Sequence, residues 1–400
     1  MSYIWQLVII LVLTKLGAHL SNKLNFPSVI GELLVGVLAG PAVLHLLAPG
    51  TFINYFSEMG VIILMFIAGL EGNLGLLMKY WKPALTVATL GVIFPTVSAA
   101  LLCAVGFGFA WSTAIFIGLI LSATSVSITV QVLKEMHRMN SREGAIILGA
   151  AVADDIMCVI LLGICVSLFG TGNAAQSQSL WALILPKLGF FILMFVLGKW
   201  AVPKFLSLFD KLNASENLTT AAIILCFSFA GLAVALGMSD VLGAYFAGLA
   251  ISETTYKDAL ALKVEPIGYS VFIPVFFVSV GLNITFDNLQ KDFVFIALLI
   301  LIAILGKQVG GAIGGKMFGL DWAAANVVGA GMVSRGEMAL VVSNVALGAH
   351  LIDQNHYTAM IVVTVITTLV APLILKFFIQ RTNTSSANSQ KTMKVNEVKS

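Results

Sequence analysis

The stretch GAAVADDIMCVILLG, Gly149 to Gly163, decides how this chain is read. Without Asp154 and Asp155 it is an ordinary membrane-spanning helix. A carboxylate at the centre of a bilayer costs about 2.5–3.5 kcal/mol on insertion scales, so two in a row need a reason. The surrounding chain is built for lipid. Of its 400 residues 59% are hydrophobic and only 10% are charged, against about 25% charged in a soluble domain. Mean hydropathy is +1.01. The net charge of +3 gives no sign of a nucleic-acid partner. Cys103, Cys158, Cys165 and Cys226 lie in apolar runs without CxxC spacing and read as small, reduced helix residues.

Taking about 20 apolar residues per span, the sequence predicts an all-α polytopic membrane protein of about thirteen transmembrane helices. The spans fall near 3–20, 28–47, 57–74, 83–107, 111–134, 143–169, 180–203, 217–237, 239–253, 264–284, 293–315, 322–349 and 357–379. The first lacks a cationic leader and a small-residue cleavage site, so it is kept as a span rather than a signal peptide. A membrane domain over residues 1–380 and a disordered cytoplasmic tail over 381–400 follow. Of the 22 Lys and Arg residues, eighteen fall in one set of alternate loops and the tail, and the opposite loops have only Lys187 and Lys291. The positive-inside rule then places the N-terminus outside and the C-terminus in the cytoplasm. His19, His45, His137, His350 and His356 lie at span ends or in loops and read as interface residues.

Two basic residues remain, Lys307 and Arg335, both inside spans. At about 1.5 Å of rise per residue, Asp154 lies about 18 Å beyond Arg142 and Lys307 about 14 Å before Lys316. Arg335 lies about 20 Å into its own span. All three sit near the middle of a hydrocarbon core about 30 Å thick. Adjacent helix positions diverge by about 100°, so the two aspartates cannot face one partner. One can pair with an intramembrane lysine while the other faces a cavity. A buried ion pair alone can be mere helix register. A second acid beside it adds cost without packing, which favours a site that takes up and releases a small cation.

Span five contains LILSATSVSITV, Leu119 to Val130, and span twelve GAGMVSRGEMALVVS, Gly329 to Ser343. Each has a polar, conformationally loose patch at mid-span. Laying Gly118 on Gly329 brings Ala123-Thr124 over Ser334-Arg335. An offset of seven spans is odd, so the matching segments cross in opposite directions. This predicts an inverted repeat of spans 1–6 and 8–13, with span seven as connector. Paired interrupted helices point to a transporter's binding site. Their opposed dipole ends need compensating charge, for which Arg335 and Glu337 are candidates. Glu32 reads as a gate or a helix N-terminal charge, and Glu71 as a partner of Arg335.

Together, ADD at Ala153–Asp155, GELLVGVLAGP, FIAGLE, LSATSVS, the intramembrane Lys307 and GMVSRGE resemble the cation:proton antiporter-2 family, and within it most resemble the NapA-type Na+/H+ antiporters, relatives of NhaA. The resemblance covers roughly residues 5–380 and implies an NhaA-like fold with two crossed broken helices. It implies a homodimer in the cell's plasma membrane. A core domain, about 83–169 and 293–379, would move like an elevator against a dimerisation domain formed by the remaining spans. By motif position Asp155 is the principal ion carboxylate and Asp154 the partner of Lys307. Thr124 and Ser125 lie at the crossing, and Arg335 and Glu337 match the SRGE-type element. The pair of adjacent aspartates is associated with electrogenic exchange of Na+ or Li+ for H+, with no cofactor. The rivals are K+/H+ exchange on the same scaffold and a sodium-coupled organic anion carrier. An intramembrane aspartyl protease is a poor fit, because its two aspartates come from separate helices and no GxGD occurs here.

Overall fold

The computed structural model describes residues 3–169, 180–283, 293–348 and 351–397. In these, helix follows helix: α1 (Tyr3–Lys23), α2 (Ser28–Ala39), α3 (Thr51–Glu71), α4 (Leu74–Lys79) and α5 (Trp81–Leu101). Next come α6 (Trp111–Ser122), α7 (Val126–Glu135), α8 (Arg142–Phe169), α9 (Leu180–Val196), α10 (Val202–Asp210) and α11 (Asn217–Ala235). The chain continues with α12 (Asp240–Ser252), α13 (Lys257–Ile267), α14 (Ile273–Leu282), α15 (Phe293–Met317), α16 (Trp322–Gly331), α17 (Glu337–Gly348) and α18 (Gln354–Glu397). Helix is what apolar hydrocarbon imposes, because it satisfies every backbone donor within the segment. Among the described residues ten helical segments are long and apolar enough to cross a membrane. Counting α2, α12 and the broken pair α16–α17 as crossings brings the number to the thirteen expected.

The packing pairs come in equivalent sets. α1 lies on α2 as α11 lies on α12, α5 on α6 as α15 on α16, and α5 on α8 as α15 on α18. α3 packs on α12, and α14 on α2, in the same exchanged manner. These are the equivalences that a repeat of spans 1–6 and 8–13 requires. The helices also sort into two groups. α5 to α8 pack with α15 to α18, while α1, α2, α3, α11, α12 and α14 pack with one another.

Close backbone approach holds both groups together, as small residues do in membranes. Gly310 brings α15 onto α5 so tightly that a Cβ there would lie 2.6 Å from the Leu90 carbonyl oxygen. In the other group Gly69 of α3 and Gly248 of α12 face each other, and a Cβ on Gly69 would lie 2.1 Å from the Tyr245 carbonyl oxygen.

Two expectations change. The tail predicted to be disordered from 381 continues as helical backbone to Glu397. That stretch has no Gly or Pro to stop a helix already nucleated in the membrane. Lys187, assigned to the opposite loops, lies inside α9 with a buried side chain; its apolar stem lets it reach some distance along the helix. Lys291 and His350 lie outside the described residues.

Candidate functional site

The spans expected to be broken are broken. α6 ends at Ser122, and Ala123 and Ser125 take extended backbone before α7 begins. α16 ends at Gly331 and α17 begins at Glu337. Each break exposes backbone groups that lipid cannot satisfy, and the two breaks satisfy each other. The Ser125 amide donates to the Ser334 carbonyl at 2.9 Å, and the Ser334 hydroxyl donates back to the Ser125 carbonyl at 2.5 Å. The Thr129 hydroxyl donates to the Gly331 carbonyl at 2.8 Å and lies 3.0 Å from the Ser334 hydroxyl. At Gly336 a Cβ would lie 2.6 Å from the Ser125 Oγ, so the crossing has no room for a larger residue.

The charges compensate what remains. Arg335 is fully buried, and its Nη1 and Nη2 donate to the carbonyls of Met332, at the end of α16, and Ala303, at 3.2 and 2.8 Å. A guanidinium there meets the negative end of a helix dipole. The Thr368 hydroxyl on α18 donates to the Arg335 carbonyl. Asp154 is 1% exposed and uses both oxygens. Oδ1 accepts from Lys307 Nζ at 2.6 Å, and Oδ2 accepts the Thr124 amide at 3.0 Å, just ahead of α7. Lys307 itself has no exposure and passes Gly91 of α5, where a Cβ would lie 3.4 Å from its Cδ.

Asp155 is the next residue on α8. It lines a crevice with Leu148 and Val152 of its own helix, Met65 of α3, Val126 of α7, and Val241, Leu242 and Tyr245 of α12. The crevice therefore lies between the two helix groups. Its volume is about 10 Å³, enough for one water-sized body. The buried Thr124 hydroxyl has no hydrogen-bond partner, which leaves an oxygen beside Asp154. Asp154 is held at both oxygens, and Asp155 lines a small crevice at the boundary of the two helix groups.

The other candidates separate from this centre. Glu337 opens α17, and its side chain lies outside the described residues. Glu71 does not pair with Arg335; it lies 3.0 Å from Lys134 Nζ. Arg335 is occupied by carbonyls at the crossing, whereas Lys134 is nine residues beyond Ser125, about 14 Å along α7. Lys134 also lies 3.1 Å from Glu265 of α13 and over the ring of Tyr269, so it joins α7 to both α3 and α13. Glu32 is buried one turn inside α2, too far in to be that helix's N-terminal charge. Glu135 of α7 fills that role, accepting from the Ser28 amide at 3.1 Å and from the Ser28 hydroxyl. Glu135 also takes Gln131, which accepts the Tyr269 hydroxyl at 2.8 Å. Sequence reasoning missed this polar network. Its one visible signal is the run of polar residues Gln131, Lys134 and Glu135 at helical spacing.

Known proteins are similar to this chain over most of its length. The family model described as "Sodium/hydrogen exchanger, transmembrane" matches residues 8–381. The chain is 45% identical over 381 residues to a Na+/H+ antiporter of Enterococcus hirae, covering 95% of this chain and 99% of that one. It is 43% identical over 376 residues to the Na+/H+-K+ antiporter GerN of Bacillus cereus, covering 94% and 96%. Among solved structures, the sodium proton antiporter MjNhaP1 of Methanocaldococcus jannaschii superposes with a TM-score of 0.65 at 17% identity, over 93% of this chain and 95% of that one.

Proposed function

Since the chain belongs to the sodium/hydrogen exchanger family, we propose that it moves Na+ out of the cell in exchange for protons by competition at Asp155. It is a multi-pass membrane transporter, not an enzyme. The observation that supports the site is where α8 puts its two aspartates: Asp154 in the buried pair with Lys307 at the helix crossing, and Asp155 on the crevice between the helix groups.

In this reading Asp155 holds either a proton or dehydrated Na+ or Li+, with Asp154, Thr124 and Ser125 near the ion. Each bound Na+ displaces the Asp155 proton. Its charge also draws Asp154 away from Lys307, which releases a second proton. Two protons then exchange for one Na+, and one net charge moves per cycle. The empty, doubly anionic site crosses poorly because charge in hydrocarbon is costly. Because protons compete for the same carboxylate, exchange rises as pH rises into the alkaline range. Arg335 and Glu337 balance the broken helices, and Glu32 and Glu71 belong to the cytoplasmic closure. The loop charges put the N-terminus outside and the C-terminus in the cytoplasm, and the chain works as a homodimer, as the family resemblance implies.

The helices α5 to α8 and α15 to α18 form the moving core, residues 83–169 and 293–379, and the others form the dimerisation domain. This division is supported by the packing of each group mostly within itself. Lys134 then latches core to scaffold. Replacing it with Met is expected to cost roughly 1 kcal/mol of stability, as partly exposed pairs do, while changing the exchange rate severalfold. Flux and thermal melts on the same preparation check this. A lowered Tm with unchanged flux would make the contact a staple without a gating role.

The deciding experiment is dissipation of a pH gradient in proteoliposomes on adding Na+, Li+ or K+, with membrane potential clamped and unclamped. Na+ and Li+ are expected to collapse the gradient, faster when the potential is clamped. A second reading, K+ as an additional exchanged cation, is favoured by the likeness to GerN. A response to K+ as large as that to Na+ selects it.

A further inference from the structure

Glu32 is 8% exposed and stands on α2, in the helix group that forms the scaffold. Ser28 lies one turn earlier on the same face, since positions four apart stack on a helix. There the core reaches across. Glu135 of α7 accepts from both the Ser28 amide and the Ser28 hydroxyl. Helical side chains lean toward the N-terminal turn, so the Glu32 carboxyl leans toward the Glu135 carboxylate. Of the charged groups on the helices packed against α2, Glu135 and Lys15 of α1 act on Glu32. The Lys15 ammonium donates to the Tyr269 carbonyl at 3.0 Å, and the Tyr269 hydroxyl is held by Gln131. Lys134 is paired with Glu71 and Glu265, Lys376 of α18 donates to the Asn25 carbonyl, and His19 and Lys23 of α1 are exposed. α14 has no titratable side chain. Two carboxylates are thus brought together across the boundary of core and scaffold, with one base beside them that is already engaged.

We propose that Glu32 is a proton-operated lock on the cytoplasmic closure, whose neutral acid lets Glu135 hold α2 to the core and whose anion loosens that hold. The proposal rests on the reading of α5 to α8 as part of a moving core that carries the Asp155 site. Like charges at close range in a poorly hydrated place repel strongly. With the proton on Glu32 the pair carries one charge, and the Ser28–Glu135 contact stands. When the proton leaves, two charges oppose each other over that contact, and the core parts from α2 more readily. The lock acts on the movement of the core and not on the binding of Na+. Cytoplasmic pH then reaches the maximal rate through Glu32 and the KM for Na+ through Asp155. An exchanger that carries protons inward is thereby slowed by the acid it accumulates.

Glu32→Gln keeps the size of the side chain and fixes the neutral state. In proteoliposomes of the full chain, with pH set equal on both sides, the parent's maximal rate of Na+ efflux should climb from acid to alkaline pH. The variant should match the parent at acid pH and fall about tenfold behind it at alkaline pH, the size of one close charge repulsion. Its KM for Na+ should follow the parent's at every pH. Glu135→Gln keeps an oxygen for Ser28 and removes the other charge, so it should flatten the same profile, and the double variant should be no flatter than either single one. A maximal rate that climbs in Glu32→Gln as it does in the parent overturns the proposal, whatever the Tm. So does a flattened profile that Glu135→Gln does not share. Asp155→Asn run in parallel separates the two readings. If it is inactive and the Glu32→Gln profile is unchanged, only the lock fails. If Asp155→Asn exchanges normally, the ion site itself has been misassigned.

Discussion

Asp155→Asn protein in vesicles should show no Na+-driven proton flux above that of protein-free vesicles. Asparagine keeps the shape of the side chain and one oxygen, but has no charge to bind Na+ and no proton to release. Antiport by competition needs both ligands on one group, so the loss is complete and saturating Na+ does not rescue it. The fold should be unharmed. The 2.6 Å Asp154–Lys307 contact does not involve Asp155, which lines the crevice between the helix groups. An amide there avoids the cost of about 2.5–3.5 kcal/mol that an aspartate brings to a bilayer centre. The variant should still fold, and its Na+-induced Tm shift should vanish. Normal exchange in a well-folded variant would falsify competition at this residue.

The sequence is informative where the membrane forces a choice. Lipid has no water to satisfy a charge, so Lys307, Arg335 and Asp154 announce a buried polar centre from their depth alone. The same constraint makes the Ser- and Gly-rich patches at 123–125 and 332–336 readable as breaks, because continuous helices have no use for them. Sequence depth gives no direction around a helix axis, and that is where the reading stops. Glu71 and Lys134 are at one level, but their pairing depends on α7 lying beside α3. Lys134 is also explained by the positive-inside rule, which hides its contacts with Glu71 and Glu265. Tyr245 sits in LGAYFAGLA, where a tyrosine passes for core. Only the structure shows that its buried hydroxyl has no hydrogen-bond partner among the described residues. Glu135 is similar, because the helix it caps begins over a hundred residues earlier.

The second large effect is expected at the Asp154–Lys307 pair. Lys307→Met fills most of the same volume but leaves a carboxylate at 1% exposure with only the Thr124 amide to hold it. Breaking one side of a buried pair costs about 3–5 kcal/mol, enough for a clear drop in Tm and poor yield. Asp154→Asn alone strands the ammonium of a lysine with no exposure and should cost a similar amount. The double variant removes both charges, and the amide side chain introduced by Asp154→Asn still has a carbonyl oxygen for the Thr124 amide. Its stability should return to within about 1–2 kcal/mol of the parent, so the two single costs should fail to add. Thermal melts of the four proteins in one detergent close the cycle. Additive losses would mean that Lys307 and Asp154 contribute independently, despite their 2.6 Å contact. The folded double variant also tests the charge balance, because it retains Asp155 but has no lysine to release the second proton. Exchange should continue at one proton per Na+, and the rate should no longer respond to clamping the membrane potential. Unchanged voltage dependence in that protein would place the second proton somewhere other than Lys307.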